Sequence, residues 1–78
     1  MEPIEVTARF DEQGTITPLE LTWKGSQVRV ESSGRRWTDE DGLHILVILA
    51  SGRMVELIYC SGEGRWYLQR TRSNRAYA

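Results

Sequence analysis

Apolar and polar residues alternate with a period of two along much of this 78-residue chain. That pattern collects every second side chain on one face of an extended strand, whereas a helix would scatter the same residues around its axis. Ile4, Val6, Ala8 and Phe10 alternate with Glu5, Thr7 and Arg9. The alternation resumes from Thr15 to Lys24 through Leu19, Leu21 and Trp23, and again from Gln27 to Ser32, where Val28 and Val30 oppose Gln27, Arg29 and Glu31. Turn-forming clusters punctuate the runs at Asp11-Glu12-Gln13-Gly14, Lys24-Gly25-Ser26, Thr38-Asp39-Glu40-Asp41-Gly42, Ser51-Gly52 and Ser61-Gly62-Glu63-Gly64. No window combines helical periodicity with start and stop signals. The expectation is an all-β domain, a single antiparallel meander of about six strands that curls into a half-barrel or small barrel.

Two places strain the simple pattern. Trp37 has the opposite parity to Val28 and Val30, so burying all three together needs one extra residue, and a bulge at Ser32-Ser33-Gly34 would supply it. Pro18, which lacks a backbone N–H, confines the start of the second strand to an edge or bulge. Trp23, Trp37 and Trp66 fall at positions that match core residues and are expected to pack there.

A chain of this length forms one domain, assigned to residues 1–71 with a flexible tail at 72–78. The single Cys60 cannot form an internal disulfide, which favours a reducing compartment, so a cytoplasmic location is expected. The N-terminal residues lack the basic and apolar regions of a signal peptide, and the apolar run from Ile45 to Ala50 falls far short of the ~20 residues that span a bilayer. No membrane role is expected.

The fourth and fifth strands, His44 to Ala50 and Arg53 to Cys60, differ from the others in being apolar at both parities. If Ile45, Val47, Leu49, Val55, Leu57 and Tyr59 face the core, Leu46, Ile48, Met54 and Ile58 form a second apolar face. A fourth strand of this kind is expected to be central and covered on both sides. A sharply coiled or closed sheet would bury the second face internally; otherwise a second copy of the chain or another protein covers it. The leading reading is a non-enzymatic interaction module, homo-oligomeric or docking a protein partner through Leu46, Ile48, Met54 and Ile58 or through a strand edge.

Charge supports a rival. Residues 1–42 carry nine acids and five bases, and residues 43–78 carry two acids and five bases. Arg65, Arg70, Arg72 and Arg75, interleaved with Trp66 and Tyr67, would give a weak nucleic-acid-binding accessory domain a basic surface with stacking partners, Tyr67 among them. Against this stand the whole-chain pI near 5.8 and the use of edge arginines to block strand pairing. Arg35 and Arg36 offer a phosphate clamp, stacking on an indole, or pairing with Asp39 to Asp41.

Catalytic and metal chemistry find little to build on. Asp39, Glu40, Asp41 and Gly42 lack the ligand spacing and terminal Glu of a calcium loop. His44 and Cys60 are each the sole residue of their type, so a His/Cys metal site or a His-paired thiol could use only that pair. No catalytic residue, metal site or cofactor is expected.

The segment Leu19-Glu20-Leu21-Thr22-Trp23-Lys24-Gly25, then Val28-Arg29-Val30, Trp37 and the closing Trp66-Tyr67-Leu68, resembles a family of short uncharacterised bacterial all-β proteins. Some relatives in that family are encoded beside translesion DNA-polymerase cassettes, and the resemblance therefore implies an accessory role in DNA repair. This chain departs from the family pattern at Val28, where an aromatic is common, and in the aliphatic run at Ile45, which replaces an aromatic pair. The shared positions are packing residues, and no functional residue is carried over.

Overall fold

The computed structural model describes residues 1–69, all strand and turn. Its six strands are β1 (Glu2–Phe10), β2 (Ile16–Trp23), β3 (Ser26–Asp39), β4 (Gly42–Leu49), β5 (Met54–Cys60) and β6 (Arg65–Gln69). Each pairs antiparallel with the next, and β1 pairs with β6 through Glu2, Pro3 and Ile4, so the meander closes into a barrel. The final residues of the expected 1–71 domain and the expected tail at 72–78 lie outside the described residues.

Alternation does what the sequence demands of it. Leu21, Ile45, Val47, Leu49, Val55, Leu57, Trp66 and Leu68 are buried inside the barrel, with Ile4, Val6, Ala8, Ile16, Trp23, Val28, Val30, Leu43 and Tyr59 packed against them. Burying side chains of this size stabilises by about 1.5–3 kcal/mol each, the main favourable term for so small a domain. Trp23 and Trp66 thus sit where expected. At the start of β2 the register slips between Thr7 and Ala8, leaving Leu19 as an extra residue beside Pro18, the irregularity that the proline requires.

Tight turns hold these registers. Lys24 and Gly25 both have positive φ, the pattern of the two-residue hairpin turn whose twist matches its strands. The β3–β4 turn is shorter than expected. Asp39 already pairs with Gly42, so only Glu40 and Asp41 turn the chain. Gly42 is obligatory there, because its φ is +136° and an added Cβ would collide with the Tyr59 carbonyl.

β3 departs most from expectation. It runs unbroken for 14 residues and is shared between β2, which it pairs through Ser26 to Arg29, and β4, which it pairs from Val30 onward. Opposite β4 it carries two extra residues rather than one, between Val30 and Ser32 and between Ser33 and Arg36. A single bulge would have turned Trp37 inward. The second reverses the parity again, and Trp37 pairs with His44 on the outside of the barrel. Core packing of Trp37 is therefore corrected. Where β3 bends away from β2, Arg36 Nη1 donates to the Ile16 carbonyl at 2.7 Å and bridges the gap.

Candidate functional site

The outer surface of β3, β4 and β5 joins two neighbouring features. One is apolar. Leu46 is half-buried, while Ile48 and Met54, paired across β4 and β5, are 38% and 47% exposed. Ile58 has the same outward parity but is fully buried within the chain, at the register of His44 on one side and Tyr67 on the other. Its place in the expected interface is corrected, and the accessible part of that face is Leu46, Ile48 and Met54. In the closed barrel β4 has a neighbour on each edge, as every strand does, and its outer face is covered only at the His44 end, not throughout as expected.

The second feature is polar and centres on His44, which is 5% exposed. The Trp37 indole lies against its imidazole with ring centroids 5.0 Å apart and planes 14° from parallel. His44 Nδ1 lies 2.5 Å from Glu56 Oε2, and His44 Nε2 lies 2.8 Å from Asp39 Oδ1. Asp39 Oδ1 also accepts from the Asp41 backbone N–H at 2.8 Å, which fixes the carboxylate within the turn. Burial disfavours charge on the ring, but hydrogen bonds to Glu56 and Asp39 and the charges of both carboxylates outweigh it, so the His44 pKa is raised. The Asp41 N–H and the His44 ring hold the Asp39 pKa below its ordinary value. With a carboxylate on each nitrogen, the His44 ring clamps β3, β4 and β5 together, and both contacts favour its protonated form.

The polar run from Thr38 to Gly42 conceals this cluster in the sequence. A two-residue turn at Glu40-Asp41 sets Trp37 opposite His44 and brings Asp39 within reach, so turn length was the missing signal. Glu56 comes from the next strand, two residue pairs along from His44 and Ile58 and therefore next to them on the same face.

The other sequence candidates fall elsewhere. Arg35 lies over the Trp37 ring at 5.4 Å, which is the stacking alternative for that arginine. Lys24 and Arg53 flank Trp23 at the opposite end of the barrel. Arg65 is exposed at the start of β6, and the Tyr67 hydroxyl donates to Glu63 Oε1 at 2.7 Å. That bond raises the phenol pKa, with burial adding to it. Arg70, Arg72 and Arg75 lie outside the described residues. The Cys60 thiol donates to the Asp41 carbonyl at 3.0 Å, and desolvation, assisted by the charges of Glu63 and Asp41, raises its pKa and keeps it a thiol.

Comparison of the chain with protein-family models, curated proteins and solved structures finds no match to any of them.

Proposed function

We propose that this chain is a non-enzymatic interaction module that docks through the outer face of β4 and β5, with a second copy of itself as the first partner. The observation that carries this reading is the composition of that face. In a closed barrel the inner faces make the core and the outer faces need only water. β4 and β5 nevertheless place Leu46, Ile48 and Met54 outside, where β1 and β2 place Glu5, Thr7, Glu20 and Thr22. Unbranched, polarizable methionine beside aliphatic residues suits a surface that adapts to a partner. Lone Cys60, held as a thiol, suits a cytoplasmic setting.

The test is solution mass by light scattering across a protein concentration series. The expected result is a concentration-dependent rise toward the dimer mass that Ile48→Lys combined with Met54→Lys abolishes. A wild-type monomer at the highest concentration reached, or a dimer that survives both substitutions, overturns self-association through this face.

A further inference from the structure

We propose that Asp39, Asp41 and His44 form a site for a first-row divalent transition cation, with Glu56 as the outer carboxylate that aims the imidazole. The proposal does not rest on the apolar face. A neutral imidazole carries one N–H. If Glu56 takes it at Nδ1, the Nε2 lone pair points at the Asp39 carboxylate only 2.8 Å away, two electron-rich atoms with nothing between them. Either a second proton or a cation resolves that conflict, and Asp41 supplies what a proton alone would not need. Ligand atoms of Asp39, Asp41 and His44 all lie within 4.8 Å of one another.

The donor set fits this class of ion. One nitrogen and two carboxylate oxygens suit zinc and its neighbours, which bind such atoms at ~2.0–2.2 Å and leave further positions for water. Donors around a tetrahedral ion stand about 3.4 Å apart, so His44 Nε2 and Asp39 Oδ1, 2.8 Å apart, open slightly on binding while ligand atoms up to 4.8 Å apart close in. Asp41 is exposed within the two-residue turn, and rotation of its side chain provides most of that adjustment. The remaining half of the arrangement is already present: a buried imidazole, shielded by Trp37, whose far nitrogen is held by a carboxylate, the usual outer shell of a metal-bound histidine. A groove of about 490 Å³, lined in part by Thr38, Asp39, Asp41 and Cys60, gives an ion access from solvent.

The test uses the untagged full chain, stripped with chelator and titrated with Co²⁺ and then Zn²⁺, read by visible absorption and calorimetry. The expected result is one saturable Co²⁺ site per chain with an intensified d–d band that Zn²⁺ displaces. Asp41→Asn is expected to weaken binding roughly tenfold or more without moving the melting temperature of the metal-free protein. Glu56→Gln is expected to weaken it by roughly 10- to 100-fold, the range typical of outer-shell partners. Cys60→Ser is expected to leave it unchanged. Absence of a saturable site in the wild type, an Asp41→Asn protein that binds as tightly as the wild type, or loss of binding in Cys60→Ser would each overturn the assignment.

Discussion

The outer surfaces of the first and second halves of the barrel follow different rules. Along β1, β2 and the start of β3 the outward positions read Glu5, Thr7, Glu20, Thr22, Gln27 and Arg29, and the exposed hydrophobic residues there, Phe10 at the end of β1 and Leu19 at the β2 irregularity, stand apart rather than forming a stretch. Along β4 and β5 the same outward positions read His44, Leu46, Ile48, Met54, Glu56 and Ile58. The inner faces of both halves are alike, and closure satisfies both. The barrel itself asks nothing of the outer face of β4 and β5, and under the two proposals the residues there meet other requirements: a partner for the aliphatic stretch, and a fixed imidazole for the acidic pair.

The largest effect separates inside from outside. Leu57→Ala, on the inner face of β5, is expected to cost about 2–5 kcal/mol in urea unfolding, whereas Ile48→Ala, on the outside of β4, is expected to cost under about 1 kcal/mol. Equal losses would mean that the outer face is a second core and would dissolve the comparison.

Next in size is the His44 clamp. His44→Gln leaves Glu56, whose side chain is 14% exposed, without its charged partner and is expected to destabilise by about 1–3 kcal/mol. The pH dependence sharpens the assignment. A folded-state pKa raised above the ordinary histidine value of about 6.5 gives stabilisation that is complete below that value and disappears as pH rises through the folded pKa. In chelator-treated protein the urea midpoint should therefore fall from mildly acidic to alkaline pH, and His44→Gln should flatten that fall. The lowered pKa of Asp39 acts at the other end, giving stabilisation present above the ordinary carboxylate value and lost as pH drops through the folded one. A midpoint in the wild type that does not change between mildly acidic and alkaline pH would show that His44 is not held as an imidazolium.

The smallest effect is expected where the proposed docking surface is cut in the monomer. Ile48→Lys with Met54→Lys, measured at a concentration too low for association, should shift unfolding by no more than about 0.5 kcal/mol per site. A large loss would place these side chains in intramolecular packing rather than on a free face.

Much of this architecture was legible in the residues. Alternation and turn chemistry alone gave six strands in meander order, the two-sided apolarity of β4 and β5, and the irregularity at Pro18. The path of β3 was not legible, because Ser32, Ser33 and Gly34 tolerate extra residues without dictating how many, and parity changes with each one. Trp37 followed that parity to the outside. Its stack on His44 depended in turn on a hairpin two residues long, where a run of five polar residues concealed which two formed the turn. Ile58 carried no warning of its burial, since outward parity alone does not reveal which neighbouring side chains overhang it.

The clasp between β1 and β6 has a consequence for the timing of synthesis. Glu2, Pro3 and Ile4 leave the ribosome well before their partners Leu68, Tyr67 and Trp66, which belong to the last of the described strands. Until those arrive, the growing polypeptide holds the apolar sides of Ile45, Val47, Leu49, Val55 and Leu57 with a gap in the wall where β6 belongs. Long-range closure of this kind comes late and leaves nascent chains exposed to aggregation in the interval. A pause that leaves β5 outside the ribosome while Arg65 to Leu68 are still inside it would prolong that vulnerable interval, and one after β6 has emerged would not.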